Sequence, residues 1–149
     1  MTTHRLNRLT LLSISLLTAT ILLGACAGPL KPPSTQGLRS YPPAPAAAQV
    51  SVSDAASLRT AGAFMLDVRE PDEWAAGHIP GATLIPLGQL PGRLAEVPRD
   101  RLIVTVCRSG NRSAQARDIL LGAGIQGVSS MSGGMNEWIA AGFPVATGQ

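Results

Sequence analysis

The chain has 149 residues, which allows one domain with appendages rather than two. Hydrophobic residues make up 45 % and charged residues only 14 %, which excludes a disordered or fibrous chain. Setting aside Arg5 and Arg8 in the first segment leaves 10 of the 12 basic residues against 9 acidic ones; with aromatics at 3 %, neither a basic face nor stacking platforms remain, and no nucleic-acid partner is expected.

Taken in chain order, residues 1–25 read as an export signal. Arg5 and Arg8 form a positive head, and Leu9 to Leu23 is an uncharged apolar run of about 15 residues. A spanning helix needs roughly 20, so a permanent anchor helix is the weaker alternative. Arg5 and Arg8 are not adjacent, which argues against the twin-arginine route. The run ends in Leu23-Gly24-Ala25-Cys26, which resembles a bacterial lipoprotein signal. That resemblance implies diacylglycerol on the Cys26 sulfur and a further acyl chain on its amine, and several chains on one residue anchor a protein stably to a membrane. Ala27 after the cysteine implies an outer-membrane address, with the protein facing the periplasm. Acylation of Cys26 leaves Cys107 as the single thiol, so no intramolecular disulfide is possible.

Residues 26–49 read as a tether. Pro29, Pro32, Pro33, Pro42, Pro43 and Pro45 are half of the 12 prolines, set among alanine, serine and glycine. Such a segment is extended and buries no core; its reach is on the order of 70 Å.

Residues 50–149 form the folded domain, a size that folds alone. Val50 to Val52 reads as a short strand and Ser53 as the N-cap of a helix running to Thr60. Ala63 to Val68 is a buried strand, and Pro71 opens a short helix over Asp72 to Ala76. Thr83 to Ile85 is a short strand, and Gly88 to Ala95 is expected to be helical. Leu102 to Val106 is the clearest interior strand, and Ser113 to Leu121 is the clearest helix, stopped by Gly122 and Gly124. A strand over Gly127 to Ser130 and a helix over Met135 to Ala141 complete the pattern. Short strands alternating with helices predict a three-layer α/β domain with a mostly parallel sheet.

In such sheets ligands bind beyond the carboxyl ends of the strands. Cys107 follows the best strand, and Cys107-Arg108-Ser109-Gly110-Asn111-Arg112 joins it to the best helix. A turn of this kind points backbone N–H groups inward as an anion nest, with Gly110 free to take positive φ. The helix N-terminus and the charges of Arg108 and Arg112 also favour thiolate, so Cys107 is expected to be a low-pKa nucleophile rather than a buried apolar cysteine. His78, in Gly77-His78-Ile79-Pro80-Gly81-Ala82, reads as a loop-shaping residue and not as a base for Cys107.

These segments together resemble a single rhodanese domain over about Ser53 to Val145. Leu66-Asp67-Val68-Arg69-Glu70 with Glu73-Trp74, the His78 segment, the loop from Cys107 to Ser113, Gly133-Gly134, Trp138 and Gly142-Phe143-Pro144-Val145 carry the match. The resemblance implies a rhodanese-like α/β fold. It also implies a sulfurtransferase in which a small anionic donor such as thiosulfate leaves a persulfide on Cys107 for a thiol or cyanide to remove. No metal or organic cofactor is implied, and a monomer is expected. Four residues separate Cys107 from Arg112, as in the family's sulfur-handling members; its phosphatase and arsenate-reductase relatives have five. Arg108, Ser109, Gly110, Asn111 and Arg112 are expected to bind the donor. Asp67 and Arg69 read equally as support for the loop or as a structural ion pair, Trp74 and Trp138 as packing, and Met131 and Met135 as gap-fillers. Gly133-Gly134 reads either as a close approach to the loop or as turn chemistry. The rival readings are a sulfur-carrier or redox-sensing module and a rhodanese-related phosphatase.

Overall fold

In the computed structural model, residues 46–148 are described. The expected export signal, Cys26 and most of the tether lie outside the described residues. Five strands, β1 (Gln49–Val50), β2 (Phe64–Asp67), β3 (Thr83–Leu84), β4 (Ile103–Val106) and β5 (Val128–Met131), form one sheet in the order β1-β5-β4-β2-β3. Every pairing is parallel. The helices are α1 (Val52–Thr60), α2 (Pro71–Ala76), α3 (Asn111–Gly122) and α4 (Gly134–Ala140). This is the expected three-layer α/β domain.

β4 lies between β2 and β5 and is buried along its whole length, the behaviour of a parallel strand covered on both faces. Its side chains alternate between two cores. Ile103 joins Leu66, Val68, Ala116 and Leu120 on the α3 face. Val104 and Val106 join Met65, Met131, Met135 and Trp138 on the other. Cys107 continues the parity of Ile103 and belongs to the α3 face, which turns its thiol toward the helix that follows the loop. Thr105 lies on that face too, and its hydroxyl is bonded to the carbonyls of Ser113 at 2.8 Å and Ser129 at 3.2 Å.

Local differences from the expected elements have identifiable causes. The N-cap of α1 is Ser51, not Ser53: the Ser51 hydroxyl accepts the Asp54 N–H at 3.1 Å, and β1 ends at Val50 accordingly. Gly88 to Ala95 is not an α-helix. Pro91 lacks an N–H and Gly92 is a poor helix former, so the segment breaks into 3₁₀ turns at Leu90–Gly92 and Leu94–Glu96. Ordered packing also begins before Val50. The Ala47 carbonyl accepts the Ser129 hydroxyl at 2.6 Å, and the Ala48 carbonyl accepts the Ser130 N–H at 3.1 Å.

Candidate active site

The Cys107–Arg112 loop begins where β4 ends and closes into α3, whose first residue is Asn111. Gly110 takes φ +107°, a value that side chains rarely adopt, and this turns its N–H inward. That N–H donates to Cys107 Sγ at 3.1 Å. The Ser113 hydroxyl, one turn into the helix, stands 3.7 Å from Sγ and donates to the Gly110 carbonyl at 2.7 Å. Cys107 is 1 % exposed. Burial alone pushes its thiol up, but the amides of Ser113 and Ser109, the Ser113 hydroxyl and the Gly110 amide together outweigh burial and hold it below the ordinary thiol value.

The arginines of the loop divide. Arg112 Nη1 and Nη2 donate to Glu73 Oε2 and Oε1 of α2, each at 2.7 Å. The Arg112 hydrogen bonds hold the Glu73 carboxyl down to about 2 against the opposing effect of burial. Arg108 is exposed and has no ionic partner among the described residues. It lines a cleft of about 190 Å³ with Arg69, Glu73, Met135, Asn136 and Ile139. Ser109 and Asn111 are exposed on the loop's outer side.

Asp67 and Arg69 form a structural clamp. Their salt bridge is 2.6 Å long with side chains 0 % and 5 % exposed. Arg69 also donates to the carbonyls of Glu73 at 3.1 Å and Gly77 at 2.8 Å, binding the end of β2 to the first turn and the C-cap of α2. His78 belongs to the same corner. Its ring stacks on Trp74 with centroids 3.7 Å apart, Nδ1 lies 3.0 Å from the Trp74 carbonyl, and its backbone pairs with Ala146. That is the loop-shaping part expected of it.

The second wall of the loop is the start of α4. The Met135 N–H donates to the Cys107 carbonyl at 2.8 Å and the Asn136 N–H to the Arg108 carbonyl at 3.1 Å. Gly133 and Gly134 both have positive φ, and Gly134 takes the close-approach role. Trp138 is core, its indole N–H donating to the Pro144 carbonyl at 2.9 Å, and Met131 and Met135 are buried.

Two residues outside the expected set join the site, Ser113 and Glu73. Ser113 had a signal, since it closes the Cys107-to-Ser113 segment that carries the family resemblance. Glu73 had none as a partner for Arg112, because the two are 39 positions apart. Among the described residues no group of side chains is arranged to hold a metal.

Comparison with known proteins places this geometry. The rhodanese-like domain family matches residues 51–141. A sulfurtransferase of Allochromatium vinosum is 40 % identical over 86 residues, covering 58 % of this chain and 80 % of that protein. The thiosulfate sulfurtransferase GlpE of Pseudomonas entomophila is 35 % identical over 101 residues, covering 68 % and 92 %. The crystal structure of a rhodanese-related protein from Thermoplasma volcanium superposes with a TM-score of 0.63 at 31 % identity, covering 67 % of this chain and 98 % of that one.

Proposed function

The chain belongs to the rhodanese-like sulfurtransferase family, and on that premise we propose that it moves sulfane sulfur from thiosulfate to a thiol through a persulfide on Cys107. The observation that carries the reading is the Gly110 N–H directed at a buried Sγ, with further amides holding the thiol below its ordinary value. The thiolate attacks the outer sulfur of thiosulfate. The new S–S bond forms as the old one breaks, and sulfite leaves with the bonding pair. The persulfide anion keeps one negative charge, which the loop amides receive in place of the thiolate. An acceptor thiolate, or cyanide, then attacks the terminal sulfur and Cys107 returns as thiolate. Sulfur needs no redox cofactor in this exchange, because each step is a displacement.

Arg108 is the donor-binding guanidinium in this reading, since it is exposed at the cleft and unpaired among the described residues. Outside the described residues, the Leu23-to-Cys26 segment supports a lipid anchor at Cys26 and a place at the outer membrane facing the periplasm. The deciding measurement is the intact mass of the purified protein after thiosulfate treatment. One added sulfur that is lost on treatment with cyanide is the expected result, and an unchanged mass would sink the reading. Turnover of a phosphate ester at Cys107 without sulfur gain would favour the phosphatase reading. Sulfur gain without turnover would favour the carrier.

A further inference from the structure

β4 is apolar except at its third residue. Ile103, Val104 and Val106 fill the two cores, but between them stands Thr105, 0 % exposed. Burying a hydroxyl costs free energy that a hydrogen bond must offset, and valine has the same branched shape without that cost. The Thr105 hydroxyl has one proton to donate, and of the two carbonyls in its reach that of Ser113 is nearer, at 2.8 Å against 3.2 Å for Ser129. The Ser113 carbonyl belongs to the first turn of α3. Thr105 and Cys107 lie two positions apart on the same face of β4, so one strand carries both the thiol and the peg that fixes the helix facing it.

Ser113 is thereby held at two points. Its carbonyl accepts from Thr105, and its hydroxyl donates to the Gly110 carbonyl at 2.7 Å. The N–H groups of a helix's first turn have no partner within the helix, which leaves the Ser113 amide to serve the sulfur. Its hydroxyl stands 3.7 Å from the same atom. We infer that Thr105 is a positioning residue that pegs the first turn of α3 to β4 and so holds the Ser113 amide and hydroxyl against Cys107 Sγ. Both groups act against burial to favour the thiolate. Thr105 bonds to no charged group: Arg112, the guanidinium that feels the Cys107 charge, is held by Glu73 of α2, and Arg108 faces the cleft. A change in the thiol caused at Thr105 therefore reports on the Ser113 contacts. Its bearing on catalysis rests on the sulfur-transfer reading, whereas its effect on the thiol does not.

The test follows alkylation of Cys107 by iodoacetamide across pH in the purified protein, read from the mass of the Cys107 peptide. It compares wild type with Thr105→Val, Thr105→Ser and Thr105→Ala. Thr105→Val should raise the midpoint of the profile by about 0.5 to 1 pH unit, the effect of weakening about one hydrogen bond to the thiolate, and so slow alkylation below the midpoint about three- to tenfold. Thr105→Ser keeps the hydroxyl and should restore the wild-type midpoint. The inference is overturned if Thr105→Val titrates with wild type, or if Thr105→Ser titrates with Thr105→Val. Should Thr105→Val lack a cooperative unfolding transition, Thr105→Ser and Thr105→Ala form the deciding pair, because they differ by the hydroxyl alone. A higher midpoint in Thr105→Ala upholds the inference, and equal midpoints overturn it. Sulfur gain from thiosulfate is read on the same samples. Its absence from wild type would defeat the sulfur-transfer reading and leave the thiol result standing.

Discussion

Gly134 stands directly against the backbone of Cys107: a Cβ built on it would overlap the Cys107 carbonyl oxygen and crowd Ser109 N at 2.6 Å. Its φ of +58° adds a conformation that L side chains adopt only with strain. The start of α4 and the Cys107 loop thus share a boundary that only a hydrogen fits.

Gly134→Ala is therefore expected to cost about 2 to 5 kcal/mol, combining left-handed backbone strain with overpacking. Gly142→Ala is the control. Its φ is +73° but nothing lies within 4 Å of the added Cβ, so only the backbone part, about 1 to 2 kcal/mol, applies. Urea unfolding of both variants measures the difference; equal losses would mean that the close approach at Cys107 is not what excludes a side chain.

Cys107 should react with iodoacetamide along a pH profile whose midpoint lies below the free-thiol value of about 8.5. The sign follows from the lowered thiol: thiolate is present above the folded value, and reactivity falls as pH drops through it. Ser113→Ala removes one stabilising group and should raise the midpoint by on the order of 1 pH unit or less. Cys107→Ser should gain no sulfur from thiosulfate, because a hydroxyl forms no persulfide.

Asp67→Ala should destabilise the domain by about 3 to 5 kcal/mol, since it leaves the Arg69 guanidinium buried without its counter-ion. The remaining carbonyl partners, from Glu73 and Gly77, carry no full charge. The denaturation midpoint checks this, and a loss below about 1 kcal/mol, the range of exposed pairs, would show the clamp to be dispensable.

Glu73 adds an acid-sensitive contribution to stability. Its folded value is depressed from 4.5 to about 2, so the contribution is present above 4.5 and is lost as pH falls toward 2. Because both side chains of the pair are partly exposed, at 30 % and 23 %, the contribution is about 1 kcal/mol. Melting temperatures between pH 5 and pH 2.5 should fall more steeply for wild type than for Glu73→Gln, and parallel curves would remove Glu73 from the account.

Cells supplied with a fatty-acid analogue should label the protein at Cys26, and Cys26→Ser should abolish the label. Labelling that persists in Cys26→Ser would end the lipoprotein proposal.

The α/β class, the interior strand at β4, helices α2, α3 and α4 and the loop with Cys107 and Gly110 at its heart were all legible in the order of residues. Each depends on neighbours in the chain: an apolar run, a proline at a helix start, a glycine where φ must turn positive. Even the N-cap at Ser51 had a local sign in Ser51-Val52-Ser53-Asp54, while Pro91 and Gly92 marked the break in the expected helix over Gly88 to Ala95. Tertiary structure alone decided which guanidinium is available. Arg108 and Arg112 are equivalent as loop residues, yet Arg112 meets Glu73 from a helix 39 positions earlier, while Arg108 faces the cleft. It also turned Asp67 and Arg69 into a clamp and required glycine at position 134, because ion pairs and backbone contacts between distant segments exist only after the sheet has brought those segments together, and no spacing along the chain encodes them.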